Sequence, residues 1–358
     1  MGSTILIRSA WATGAAVSLL GLARLAWAGP LDPSVVDKDA TWMFHLNVEA
    51  GVASTCGRFA TDGMAEDHDM QEAIKKFGLD PAKEIKGFTV YGFKPGEDDG
   101  LAVLVTTTAV DGLEQKLAAA GLESFESHKA DGATITTWKK DGHTWHMAVR
   151  PTPKGDERFV LLASTQSALD SGLAVVAGTR PSVKALDADG PGAAMLAKPS
   201  AHSIVFIAAR GLGDGPKFKT SFVKEAKSLT IDIGEEPTNT GVKETYAKAA
   251  ISAKDGPTAI NMQQMIQGMI GMVSMAAHNN KDTKGFAEEL QAVKVAADGA
   301  TVRISARVKS DEILQQLKDL GAAIKAGEDG TMSVSLHKDI TEADDKKGDG
   351  KKPQEKKD

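Results

Sequence analysis

From Gly87 to Gly121 the chain reads GFTVYGFKPGEDDGLAVLVTTTAVDGLEQKLAAAG, an order that few folds accommodate. Two runs, Phe88 to Phe93 and Leu101 to Thr108, are rich in β-branched and aromatic residues. Between them Lys94, Pro95, Gly96, Glu97, Asp98, Asp99 and Gly100 cannot continue a strand, so the pair reads as a hairpin. A helix should follow at once. Asp111 is placed to accept from first-turn amides, Leu113 and Leu117 lie four apart on one face, and Gly121 supplies the left-handed residue that ends helices. A hairpin running straight into a helix points to an antiparallel sheet with helices laid on it.

The same grammar extends along the chain. Trp42, Phe44, Leu46 and Val48 alternate with Thr41, Met43, His45 and Asn47, predicting a strand whose dry face carries the first set. Ala50 to Phe77 is compatible with a helix interrupted at Gly57 and Gly63, and Asp80-Pro81 opens a turn. Ala133 to Trp138 and His143 to Val149 form a second hairpin through Asp141-Gly142; Arg158 to Ala163 leads to a helix capped by Ser164 or Thr165. From Arg180 to Ser200 the composition shifts to Pro, Gly, Ala and Asp, as in a linker. The order then begins again: strands at His202 to Ala209, Ser228 to Ile233 and Gly241 to Ala253, a helix at Pro257 to Ala277, a hairpin through Asp298-Gly299, and a last helix from Ser310.

The expected fold is therefore α+β, with two tandem repeated units of antiparallel sheet, helices on one face, and the split βαβ strand order of ferredoxin-like domains. Its units are 29–180 and 201–337, joined by the linker 181–200. Residues 1–28 contain Arg8 and Arg24, no acid, an apolar middle and Ala26-Trp27-Ala28 before Gly29, the pattern of a secretory signal peptide. If retained, this segment is the only candidate membrane anchor. Residues 338–358, alternating lysines and acids, read as a disordered tail. The localisation expected is periplasmic or secreted.

The formal charge of −6 becomes −8 when the two arginines of residues 1–28 are removed, which argues against nucleic acid as a partner. Cys56, the one cysteine, cannot form an internal disulfide and reads as a small, unreactive apolar residue. Met262, Met265, Met269, Met272 and Met275 recur at helical spacing. They fit a core-facing helix first, an adaptable partner-binding surface second and a soft ion such as Cu(I) third, since no neighbouring His or Cys completes a cluster. His68 and Glu72, four apart, are the metal-ligand candidates in an acidic stretch from Asp62, against a solvated polar face. Gly211 to Lys217 has a glycine-rich loop in the right context for phosphate, but Pro216 stands where a glycine is needed. There is no Gly-x-Ser-x-Gly, no His-Glu-x-x-His and no motif that specifies a cofactor.

Val36-Asp-Lys-Asp-Ala-Thr-Trp-Met-Phe-His-Leu-Asn-Val-Glu-Ala50, followed by Gly87-Phe-Thr-Val-Tyr-Gly92, resembles a group of exported bacterial proteins of planctomycete type. These open on an Asp-Ala-x-Trp-x-x-His-x-Asp strand and later carry a Gly-x-Thr-x-Tyr-Gly strand; here Asn47 stands in place of the acid. The resemblance covers mainly the first 110 residues. It implies export and a duplicated fold, and implies no activity. It also singles out His45, which is either a hydrogen-bonded structural residue or, with Asn47 and Thr89, the lining of a ligand groove. The function expected is that of a non-catalytic envelope protein binding a protein, a surface polymer or a small ligand. A metal-dependent hydrolase or other envelope enzyme is the alternative.

Overall fold

A computed structural model describes residues 31–65, 71–72, 74–75, 78–94, 99–120, 122–140, 142–188, 190, 192–212, 224–278 and 289–316. The expected signal peptide, the charged tail, His68, Gly121 and most of the glycine-rich loop after Gly211 lie outside the described residues. The described chain up to Ile313 belongs to one compact unit.

Its frame is a single 12-stranded sheet in the order β11-β12-β10-β9-β8-β1-β2-β3-β7-β6-β5-β4. The strands are β1 (Trp42–Asn47), β2 (Ile85–Gly92), β3 (Leu101–Thr107), β4 (Glu123–Ala130), β5 (Ala133–Lys140), β6 (His143–Pro151) and β7 (Glu157–Ala163), then β8 (Ser203–Arg210), β9 (Ala226–Pro237), β10 (Lys243–Ala253), β11 (Lys294–Asp298) and β12 (Thr301–Lys309). The helices are α1 (Val48–Ala53), α2 (Thr55–Ala65), α3 (Pro81–Glu84), α4 (Leu113–Ala119), α5 (Gln166–Val176) and α6 (Gly256–His278). Near the middle β1 pairs with β2 on one side and β8 on the other, Met43 standing beside both Tyr91 and Ala208.

Every neighbouring pair of strands is antiparallel. A ferredoxin-like unit, also antiparallel, would instead set a third strand between the two strands that a helix joins, the split βαβ. Here β1 and β2 are direct antiparallel neighbours although helices intervene between them in the chain.

The expectation of helices on one face is also corrected. Strand alternation sends Leu104, Trp145, Met147, Val149 and Val160 to one side, where they pack with Leu113 and Leu117 of α4. The intervening Leu101, Val103, Ala148, Phe159 and Leu161 pack on the other side with Ala168 and Leu169 of α5. Following the ladder through Leu46, Phe88 and Leu104 places α1 on the α4 side, and Ile251 and Val302 beneath α6 share it. The helices thus divide between both faces.

Residues 181–200 connect the two halves without behaving as a solvated tether. They make short 3-10 turns at Val183–Ala185 and Ala193–Leu196, and Val183 and Met195 are fully buried in the core under α5. This cover inverts the expected burial of β1: Met43, His45 and Asn47 are the buried set, whereas Trp42, Phe44 and Leu46 are half-buried. Asp37, wholly buried, ties the segment down by accepting from the Ser171 hydroxyl (2.9 Å) and the Arg180 guanidinium.

Local chemistry explains several boundaries. Asp80 caps α3 at the Ala82 amide, and Thr165, one of the two expected caps, accepts from Ala168 to start α5. Asp111 does not cap α4. Its carboxylate takes a two-pronged ion pair from Arg158, both contacts at 2.7 Å, and the residue before α4 is Gly112 at φ +80°.

A methionine-rich helix face

Helix α6 begins where the Asp255 carboxylate accepts from the Thr258 amide (2.9 Å), with Pro257 in the first turn where no donor is needed. Over its 23 residues it carries no Asp, Glu, Lys or Arg. Ala259 and Met262 are its buried anchors and pack on Ile251, Ala253 and Val302, with Ile266 half-buried beside them. Gln263 fastens the helix to the free edge of β11: its side-chain oxygen accepts from Ala297 N–H (3.1 Å) and its amide donates to Val295 C=O (3.4 Å). One helix therefore covers an apolar sheet face and satisfies edge groups that would otherwise invite another strand.

The five methionines do not share the core. Met262 is 2% exposed, whereas Met265, Met269, Met272 and Met275 are 43, 52, 61 and 66% exposed. At about 100° per residue Met265, Met272 and Met275 lie about 60, 80 and 140° around the axis from Met262, whereas Met269 returns to within about 20° of it and is exposed farther along the helix. Val273, four residues after Met269, is exposed beside them, and Gly268 and Gly271 leave open space among them. The core-facing reading holds for Met262 alone.

The other candidate residues are placed as follows. His45 is 3% exposed, its Nδ1 2.9 Å from the Thr89 hydroxyl, and Asn47 is 8% exposed, its side chain accepting from Ala50 N–H as the cap of α1. Both side chains, and Thr89, are occupied in joining β1 to its surroundings and line no cavity among those described. Glu72 is exposed on a helical stretch and His68 is not described, so their pairing is not on view. Among the described residues no group of three or more His, Cys, Asp or Glu side chains is gathered closely enough for a metal ion. Cys56 is half-buried, and burial, reinforced by the Glu235 charge, pushes its thiol pKa up, the opposite of an activated nucleophile.

A polar cluster on the opposite sheet face escaped sequence reasoning. Tyr246 is fully buried; its hydroxyl meets Ser200 Oγ and lies 3.3 Å from the Asp232 carboxylate, which also accepts from Ser200 N–H at 3.0 Å. Burial first, and the Asp232 charge next, push the Tyr246 hydroxyl up to about 12. These hydrogen bonds tie residue 200 to β9 and β10. Two surface depressions, of about 520 and 380 Å³, are lined in part by Arg180 and Arg158, whose guanidinium groups are engaged by Asp37 with Asp39 and by Asp111 respectively. No helix among the described residues is long and apolar enough to cross a membrane.

The chain matches no known family, no curated protein and no solved structure.

Proposed function

We propose that this is an exported, non-catalytic binding protein whose contact surface is the outward flank of α6. The observation that carries the reading is the exposure of Met265, Met269, Met272 and Met275 together with Val273 on a helix without a charged side chain. Scattered apolar residues are ordinary on a surface, but a contiguous patch of this kind marks an interaction site. Methionine suits it because an unbranched, polarisable side chain adapts to the shape of a partner. A flat contact needs about 800 Å² from each partner, more than one helix flank offers, so the partner supplies an apolar groove that embraces the helix. We take that partner to be another envelope protein; a surface polymer, lacking such a groove, is the weaker choice.

Export rests on the pattern of residues 1–28, and the mature chain then starts at Gly29. Duplication is part of the same reading. From the β1/β8 seam outward, β1, β2, β3, β7 and β6 occupy the same successive places as β8, β9, β10, β12 and β11, which supports two related halves with β4 and β5 added to the first. The alternative of a metal-dependent hydrolase or other envelope enzyme draws no support from the described residues.

Site-specific photocrosslinking in the producing cells tests the proposal. A crosslinker at position 269 or 272 should give a discrete protein adduct that Met265→Glu removes, while one at Lys248, on the opposite sheet face, should not. Equal labelling from both faces, or none from 269 and 272, overturns it.

A further inference from the structure

We propose that the thioethers of Met265, Met269 and Met272 form a binding site for one soft monovalent cation, Cu(I) or Ag(I). Steps of four and three keep these three residues within a sector of about 60° on α6, with neighbouring Cβ atoms about 5–6 Å apart. Each sulfur sits on a flexible, unbranched side chain, so the outer two can swing toward the central Met269 without moving the backbone. All three are already open to solvent at 43, 52 and 61% exposure, so an ion reaches them without unpacking the core. Gly268 and Gly271 leave the adjoining surface clear, and the helix carries no Lys or Arg to repel a cation.

The donor set fixes the class of ion. Three neutral thioethers without a carboxylate or imidazole among them favour soft Cu(I) or Ag(I) and discriminate against zinc, magnesium and calcium. A thioether also has no proton to lose, so its affinity is insensitive to acid where thiolate and imidazole sites fail. Met262 is excluded because it is held in the core at 2% exposure, and Met275 because the helix turns it about 80° away from Met265. The site depends on the exposure and spacing of the three residues and stands whether or not a protein partner occupies the flank.

The test is a titration of the full chain, carrying Cys56→Ser to remove the competing thiol and labelled with carbon-13 at the methionine methyl groups, with silver nitrate in halide-free buffer. One equivalent should move the Met265, Met269 and Met272 resonances together while buried Met43, Met147 and Met195 stay in place, equally at pH 7 and at about pH 5, where imidazoles are protonated. Met269→Leu, at an exposed position and close in volume, should leave the unfolding midpoint unchanged and weaken binding at least tenfold. The proposal is overturned if the three signals stay still, if binding disappears at about pH 5, or if Met269→Leu leaves the affinity of the other two unaltered. Photocrosslinking in metal-free medium reports separately on the partner.

Discussion

Glu235 offers the sharpest energetic test of how the two halves of the chain are joined. The break between α1 and α2 leaves the Thr55 amide as an unpaired helix-start donor, and the Glu235 carboxylate, 180 residues away on β9, accepts from it at 2.9 and 3.1 Å. The same carboxylate takes the Lys243 ammonium at 2.8 Å, and that ammonium also donates to Ala53 C=O at 2.9 Å. The Glu235 side chain is 6% exposed and Lys243 38% exposed. Glu235→Ala therefore strands a half-buried amide but frees a lysine that can turn to water. Charge-assisted hydrogen bonds contribute about 1.5–3 kcal/mol each, and a fully buried broken pair costs about 3–5, so the half-exposed lysine brings the expected loss to about 3 kcal/mol. Glu235→Gln keeps an acceptor and should lose about 1 kcal/mol. The pH dependence has a definite sign. Burial raises the Glu235 pKa, but the Lys243 and Thr55 hydrogen bonds outweigh it and hold the group below its ordinary 4.5. Its contribution is then fully present above about pH 4.5 and is lost as pH falls through the depressed value, so the advantage over the Gln variant should shrink in acid. Urea unfolding at pH 7 and across the acid range measures both. A loss below about 0.5 kcal/mol for Glu235→Ala, or a gap that widens in acid, refutes the reasoning.

Other substitutions separate packing from exposure. At Gly234 an added Cβ would stand 2.1 Å from the His202 carbonyl oxygen and 2.4 Å from the Tyr246 hydroxyl, so Gly234→Ala should cost about 3 kcal/mol by chemical unfolding. Gly268→Ala meets nothing within 4 Å and should instead stabilise by up to about 1 kcal/mol through helix propensity, seen as a higher melting midpoint. Met262→Ala should cost about 2–4 kcal/mol for its core cavity, while Met272→Glu stays within about 0.5 kcal/mol; unfolding curves that reverse this order contradict the assignment of the helix faces.

Much of this architecture was legible because local chemistry and tertiary packing agree. The β2–β3 hairpin followed by α4 is legible from β-branched runs around a Pro/Gly loop, and Gly142, between β5 and β6, and Gly299, between β11 and β12, both stand at positive φ as hairpin turns need. Where the reading failed, long-range contacts decided. Strand β4 was missed because Glu123–Ala130 is polar and mostly exposed, although Asp131-Gly132, both at positive φ, is the same hairpin signal. Asp111 had two possible uses, cap or ion pair, and only the β3–β7 register that brings Arg158 near chooses between them. The β1 faces could not be ranked, since Val183 and Met195, which share the core with Met43, lie 140 and 152 positions away. The methionine series has a helical period, yet Met272 is turned about 80° from Met262 while Met269, only about 20° from it, is exposed two turns farther along α6, and period alone does not say which part of a helix meets the sheet.

The central claim is that the α6 flank is open in the isolated protein and covered in its native setting. Peroxide footprinting of methionine, read by mass spectrometry on purified protein and on producing cells, tests both halves at once. The prediction is rapid oxidation of Met265, Met269, Met272 and Met275 in the purified chain, with Met43, Met147, Met195 and Met262 protected, and slower oxidation of the exposed four in cells. Protection of the four in the purified chain would contradict the fold assignment of α6, and equal oxidation in both settings would contradict the partner.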